Sequence, residues 1–208
     1  HGCQSIKDGS PLLLRQGKVA EANLHYQEAA RLRPENPEYH FNVGLGFINA
    51  RRLSEAAAQF QEAIRLKPNY GEALLKLGMI QFAQDELSAA KETFTQARSI
   101  PEFAAEACYH LGLILYKEGD YEESAKQYEQ SVALKPTFAP PFFDLSQYYL
   151  NQGRSADAVR ILRIGESNFP DNIRILERLA RVLATSRDDA VRDGATALTL
   201  AERASKLS

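Results

Sequence analysis

The chain of 208 residues repeats itself at a stride of 34 residues. Small residues recur at one position of this period: Gly44, Gly78, Gly112, Ser146 and Ala180. Large apolar residues recur at a second position: Tyr26, Phe60, Phe94, Tyr128 and Leu162. Prolines recur at a third position: Pro34, Pro68, Pro136 and Pro170, with Pro101 one residue early. A period of this length predicts a stack of similar units, each of which touches only its neighbours.

Each repeat carries two segments with helical spacing. In the second repeat, Val43 and Phe47 mark one face of a first helix, which we call helix A. Ala56, Phe60 and Ala63 mark one face of a second helix, helix B, whose small residues allow two backbones to approach closely. The proline that ends the repeat cannot continue helix B. Glycines that tolerate left-handed backbone angles fall in the turn between the helices: Gly17, Gly119 and Gly153.

Residues 105–136, AEACYHLGLILYKEGDYEESAKQYEQSVALKP, are the clearest copy of this skeleton. They resemble the tetratricopeptide repeat, a helix-turn-helix of about 34 residues with small, aromatic and proline positions in this order. The resemblance implies an all-α fold, a right-handed superhelical α-solenoid of about six helix-turn-helix repeats. After an N-terminal extension or remnant at 1–10, the array is expected over 11–208, with repeats near 11–36, 37–70, 71–104, 105–138, 139–172 and 173–207.

The first repeat departs from the family pattern. Gly9 and Pro11 fall where helix A should run, so we expect only a stub of this helix at 11–16. Before it, Gly2 and Cys3 resemble the remnant of a lipoprotein processing site, which leaves a lipid anchor at Cys3 open. No targeting segment is recognisable, so the localisation is unknown and bacterial cytoplasm and periplasm both stay open.

The last repeat departs from the pattern in its turn. Ala197, Ala201 and Ala204 take the helix B positions five residues late, after a lengthened, charged turn at 187–194. A similar ending is familiar from bacterial tetratricopeptide proteins, and this resemblance favours a bacterial source. Three leucines of the final helix are expected to lack a covering repeat: Leu198, Leu200 and Leu207.

Composition and motifs argue against catalysis and against several kinds of partner. The formal net charge of −2 creates no global field that favours nucleic acid or an anionic membrane. No stretch approaches the roughly 18 apolar residues of a membrane span. We find no metal-ligand spacing, no cofactor motif and no set of nucleophile, base and orienting residue. His40 and Cys108 share one position of the period, and both are interpreted as packing residues.

The resemblance places the A helices on an inner, concave face, where the family binds its partners. The groove residues expected there are Phe41, Leu45, Ile48, Asn49, Leu75, Met79, Phe82, Tyr109, Leu113, Tyr116, Phe143 and Gln147. Family members often carry Asn where this chain has Leu45, Met79 and Leu113, and the clamp of Lys and Asn that grips an acidic C-terminus in the family is missing. One interpretation is an apolar groove for a peptide or helix. The other is that these side chains only pack against neighbouring A helices.

The sequence therefore favours a non-catalytic scaffold for protein–protein interactions that binds a peptide or helix in a concave groove, with no cofactor. Its partner is expected to be a protein or peptide, which includes a second copy of the chain, and not nucleic acid. Two alternatives stay open. The first is a structural protein that assembles end to end, since an unclosed head-to-tail contact continues indefinitely. The second is an accessory repeat region of a larger enzyme.

Overall fold

The computed structural model describes residues 19–208, and within them it contains eleven α-helices, one short 3₁₀ helix and no strand. The helices are α1 (Val19–Leu32), α2 (Pro37–Asn49), α3 (Leu53–Leu66), α4 (Gly71–Ala83), α5 (Leu87–Arg98), α6 (Ala104–Glu118), α7 (Tyr121–Leu134), α8 (Pro140–Asn151), α9 (Ser155–Asn168), α10 (Ile173–Thr185) and α11 (Gly194–Leu207). The predicted all-α fold of helix-turn-helix repeats is confirmed. The handedness of a superhelix stays a prediction.

The helices pair into hairpins that follow the sequence period. Each hairpin joins an A helix to the B helix after it: α2 with α3, α4 with α5, α6 with α7, α8 with α9, and α10 with α11. Helix α1 holds the helix B position of the first repeat. The predicted extension at 1–10, the stub helix at 11–16, Gly17 and the anchor residue Cys3 lie outside the described residues.

The chain divides into two compact halves, residues up to 103 and residues from 104 onward. A 3₁₀ helix, Pro101–Phe103, ends the first half, and it begins at the proline that arrives one residue early. The Phe103 ring lies against Gly71 at the start of α4 and leaves no room there for a Cβ atom. Two apolar clusters lie within 19–103 and two within 104–208, so each half has a core of its own.

The small residue of helix A lies directly under the ring of helix B in the same hairpin. A Cβ atom on Gly112 would stand 2.5 Å from Tyr128 Cε1, and one on Gly44 would stand 2.7 Å from Phe60 Cε1. Gly78 has the same relation to Phe94. The glycine column therefore exists because the ring of helix B occupies the space of a side chain on helix A.

Serine replaces alanine at two contact positions of α7 and adds hydrogen bonds to the packing. The Ser124 hydroxyl donates to the Gly112 carbonyl at 2.8 Å. The Ser131 hydroxyl donates to the Ala105 carbonyl at 2.7 Å. Both serines are buried, and because each hydroxyl has a partner, neither carries the cost of an unsatisfied polar group.

Helix A ends in the same left-handed turn in four repeats. Residues with positive φ follow the period: Arg51 at 59°, Asp85 at 65°, Gly119 at 88° and Gly153 at 71°. The next residue donates back to the end of helix A, as Asp120 N does to Leu115 O at 2.9 Å. This is the hydrogen bond of a Schellman motif, and it satisfies a carbonyl that the helix end would leave without a partner. The predicted turn glycines, Gly119 and Gly153, thus hold the conformation expected of them.

The last hairpin differs in part from the prediction. Ala197 and Ala204 are buried, whereas Ala201, at the position of the helix B ring, is exposed. The expectation that Leu200 lacks cover is wrong, because this side chain packs into the cluster between α10 and α11 and is 4% exposed. Leu198 is 62% exposed, as expected for a residue that no described helix covers.

Candidate functional site

All predicted groove residues lie on A helices, but they divide between the two halves. The first half holds those of α2 and α4: Phe41, Leu45, Ile48, Asn49, Leu75, Met79 and Phe82. The second half holds those of α6 and α8: Tyr109, Leu113, Tyr116, Phe143 and Gln147. The candidate residues therefore form two sets, one in each half.

Phe41 is a packing residue. Its ring centroid lies 5.6 Å from that of Phe60 and 5.0 Å from that of Tyr70. Leu45 and Ile48 pack against the same apolar cluster, which joins α2, α3 and α4. These side chains are only partly exposed, so the structure favours the packing interpretation for them over an open groove.

Tyr109 is also held by its neighbours. Its hydroxyl donates to Asp144 Oδ2 at 3.1 Å, which ties α6 to α8. Its ring meets that of Phe138 edge-on, with centroids 5.5 Å apart. Burial raises the pKa of the Tyr109 hydroxyl above its ordinary value, and burial likewise raises the pKa of the Asp144 carboxyl. Tyr109 is therefore a structural link between two A helices, with part of its edge exposed.

Four of the predicted residues are exposed and available to a partner. Met79 on α4 is 42% exposed and Tyr116 on α6 is 55% exposed. Asn49 and Gln147 are exposed as well. The period placed all the predicted residues on A helices, and the structure leaves these four exposed while others of the set are partly buried. That they form a binding groove stays a prediction.

A tyrosine-lined cavity lies at the ends of α6 and α8. The rings of Tyr116 and Tyr121 meet at a centroid distance of 5.0 Å, and Tyr121 is 51% exposed. The cavity has a volume of about 340 Å³ and is lined by Tyr116, Tyr121, Tyr148, Asn151 and Gln152. Three tyrosine rings and two amide side chains give it apolar surface together with donors and acceptors.

Sequence reasoning missed three arginines on α10, which extend the A-helix face of the second half. Arg174 and Arg178 place their guanidinium carbons 4.5 and 5.7 Å from the centroid of the Phe143 ring on α8. Arg178 Nη1 also donates to the Phe143 carbonyl at 2.9 Å. Beside the Phe143 ring lies a small cavity of about 160 Å³, and Arg181 lines it together with Arg174 and Arg178. Their spacing along one helix was visible in the sequence, but the groove positions of the last repeat were left out of the prediction.

Other chemistry-bearing residues have structural partners. His40 Nε2 is 2.9 Å from the Pro34 carbonyl oxygen, and Nδ1 is 2.9 Å from Gln59 Oε1, so this half-buried residue packs through polar contacts. Cys108 is buried. No group of three His, Cys, Asp or Glu residues that could hold a metal ion is found within 19–208. Across that range no helix has the length and apolar character that a bilayer crossing requires.

Comparison with known proteins gives matches of two kinds. Three family models of the tetratricopeptide repeat match residues 8–71, 47–101 and 105–138. No curated protein sequence matches the chain. Solved structures that are similar include PilF of Pseudomonas aeruginosa, at 15% identity over 97% of this chain and 93% of that one, with a TM-score of 0.75.

Two further structures are similar at comparable identity. MamA of Desulfovibrio magneticus RS-1 is 19% identical over 82% of this chain and 96% of its own, with a TM-score of 0.68. YrrB, described as a tetratricopeptide protein with an unusual peptide-binding site, is 16% identical over 88% of this chain and 92% of its own, with a TM-score of 0.60. At these identities the similarity concerns the fold alone.

Proposed function

Because the chain belongs to the tetratricopeptide repeat family, we propose that it is a non-catalytic scaffold that binds a peptide or helix of a partner protein on its A helices. Tetratricopeptide proteins bind protein or peptide partners and are generally non-catalytic. The observation that carries the proposal is the tyrosine-lined cavity, where Tyr116 and Tyr121 are each more than half exposed.

Exposed tyrosines at the edge of a cavity suit protein recognition for physical reasons. A tyrosine buries a large amphipathic surface and loses little conformational entropy, so aromatic residues dominate the binding energy of many interfaces. Asn151 and Gln152 at the same cavity supply donors and acceptors for a peptide backbone. In the first half, Met79 offers a flexible, polarisable contact on α4.

The test first selects peptides that bind the wild-type chain from an immobilised library of random peptides. The affinities of these peptides for the wild type and for Tyr116→Ser are then compared. We expect the peptides selected by the wild type to bind the variant at least about tenfold more weakly, because an exposed hot-spot aromatic is lost. Leu134→Ser is the matched control, since Leu134 is 58% exposed on helix B, close to the 55% of Tyr116. Equal affinity of both variants for the selected peptides, or failure to select any peptide, contradicts the proposal.

Self-association is the second candidate, and one observation favours it. The surface between α10 and α11 contains a cavity of about 520 Å³ whose lining is mainly apolar, with Ala180, Ala184, Ala197, Leu198 and Ala201, beside the charged Glu177 and Arg181. A helix from a second copy would find apolar surface there. Light scattering over a range of concentrations separates the candidates, since end-to-end assembly makes the mass rise with concentration whereas a peptide-binding monomer keeps a constant mass.

A further inference from the structure

Helix α10 presents three arginines on one face, which we call the α10 arginine face. Arg174, Arg178 and Arg181 are spaced by four and three residues, so they share one side of the helix. They extend over about 10 Å of the helix axis at the usual rise per residue. Arg174 and Arg181 are exposed and Arg178 is half-buried.

Contacts to α8 hold two of these guanidinium groups in place. Arg174 and Arg178 both lie against the Phe143 ring, at 4.5 and 5.7 Å from its centroid. Arg178 Nη1 donates to the Phe143 carbonyl at 2.9 Å and to Ser146 Oγ at 3.4 Å. A guanidinium held in this way loses less side-chain entropy when it binds an anion, and it keeps further N–H groups for that anion.

Several other arginines of the same half form ion pairs with carboxylates, whereas within 19–208 the arginines of this face do not. Two carboxylates of α9 accept these ion pairs. Asp157 pairs with Arg154 and Arg160, and Glu166 pairs with Arg163 and with Arg203 of α11. Among the residues described, none of the three arginines of the α10 face forms an ion pair. The face therefore has charge that a partner can neutralise.

Two acids stand near the arginine face. Asp144 on α8 is half-buried, and burial raises the pKa of its carboxyl, while the Tyr109 hydrogen bond and the charges of Arg178 and Arg174 oppose that shift. Its Oδ2 already accepts the Tyr109 hydroxyl. Glu177 is exposed on α10 between Arg174 and Arg181 and lines the same cavity. The site thus has three cations against two acids, and Glu177 competes directly with an incoming anion.

We propose that the α10 arginine face binds side-chain carboxylates of an acidic segment in a partner protein. This inference rests on the proposed function and adds the chemistry of the partner. Arginine binds carboxylates through paired N–H groups, and such charge-assisted hydrogen bonds are stronger than neutral ones. The cavity of about 160 Å³ beside Phe143 has room for a carboxylate group. Carboxylates about 6 Å apart match the spacing of Arg174 and Arg178, which are one helical turn apart.

An acidic protein segment fits this face better than nucleic acid or a membrane does. Polybasic lipid-binding sites use about 4–8 Lys or Arg residues, and typical DNA-binding proteins contact about 6–10 phosphates. The α10 face has three arginines with Glu177 between them, on a chain whose net charge is −2. An extended polyanion would meet the acidic remainder of the surface, whereas a short acidic segment contacts only the arginine face.

The test uses a fluorescent peptide of serine and glycine with glutamate at alternate positions, amidated at its C-terminus so that only side-chain carboxylates are present. Binding to the full chain is measured by anisotropy. We expect Arg174→Gln with Arg181→Gln to weaken binding at least about tenfold. We expect Glu177→Gln to strengthen it, because a competing carboxylate is removed. Binding should also weaken as salt is raised.

The matched control has the same change in net charge at arginines that do not belong to the α10 arginine face. Arg65→Gln with Arg160→Gln removes two arginines that are paired with Glu62 and Asp157, and binding should change by less than about twofold. An equal loss in this control would overturn the proposal, as would equal binding of a glutamine version of the peptide. Competition by single-stranded DNA or anionic vesicles as strong as by the acidic peptide would also overturn it. If Tyr116→Ser weakens library peptides while the arginine variants bind the acidic peptide normally, this inference fails and the proposed function stands.

Discussion

At the scale of single residues, one glycine shows two opposed effects. Glycine inside a helix costs about 1 kcal/mol relative to alanine, because its unfolded backbone has more freedom. Gly112 nevertheless stands in the middle of α6, where a Cβ atom would be 2.5 Å from Tyr128 Cε1 and 3.2 Å from Ser124 O. Tyr128 is 2% exposed and has little room to move. The steric demand of the ring therefore outweighs helix propensity at this position.

We expect Gly112→Leu to lower the free energy of unfolding by about 1–3 kcal/mol, because the larger side chain forces α6 and α7 apart. Urea unfolding followed by circular dichroism measures this change. The control is Gly194→Ala at the start of α11, where nothing lies within 4 Å of an added Cβ atom. The free energy of unfolding of this control should be unchanged or slightly higher. Unchanged stability of Gly112→Leu would contradict the close contact of the hairpin.

At the scale of elements, the left-handed turn after helix A is set by the hairpin and not by the residue that occupies it. Gly119 and Gly153 adopt positive φ without strain, yet Arg51 and Asp85 adopt it at the equivalent positions. A non-glycine residue in this region costs about 1–2 kcal/mol. The hydrogen bond from Arg52 N to Phe47 O at 2.9 Å and the packing of α2 on α3 offset that cost.

Arg51→Gly should therefore raise the free energy of unfolding by about 0.5–1 kcal/mol, since relief of strain exceeds the added entropy of the unfolded chain. The midpoint of urea unfolding reports the change. Gly153→Ala is the reciprocal variant and should lower stability, because it introduces strain at a φ of 71°. A lower midpoint for Arg51→Gly would contradict this expectation, because the loss of the Arg51 side chain would then cost more stability than the relief of backbone strain adds.

At the scale of the whole molecule, each half carries its own apolar clusters. In the second half, one cluster joins α7, α8 and α9, and another joins α9, α10 and α11. Stability in such arrays is close to a sum of contributions from each repeat and its nearest neighbours. A cut that follows a repeat boundary therefore removes less stabilisation than a cut through a hairpin.

We expect a fragment of residues 104–208 to be helical and to unfold cooperatively, as measured by circular dichroism during heating. A fragment of residues 121–208 is the control. It lacks α6, which covers Tyr128 and accepts the hydrogen bonds of Ser124 and Ser131, so its melting temperature should be clearly lower. A disordered 104–208 fragment would contradict an independent core in the second half, and equal melting temperatures of the two fragments would contradict the stabilising contacts of α6.

The period of the sequence predicted the hairpins and the helices on which the candidate residues lie. Periodicity was sufficient because the small and aromatic positions belong to one hairpin, as Gly44 and Phe60 do, and their contact is set by the distance between them along the chain. The same regularity identified the tyrosine position Tyr116 on an exposed face. The arginines of α10 were also readable from their spacing, once the last repeat is treated like the others.

Only the tertiary structure decided how deeply each side chain of that face is buried. Phe41 is covered because the ring of Tyr70, which directly precedes α4, lies against it, and Tyr109 is held because its hydroxyl donates to Asp144 on α8. Helical periodicity gives the direction of a side chain but not the size of its neighbours, so it cannot separate a packed residue from a free one. The same holds for Arg178, whose position depends on a backbone carbonyl of another helix.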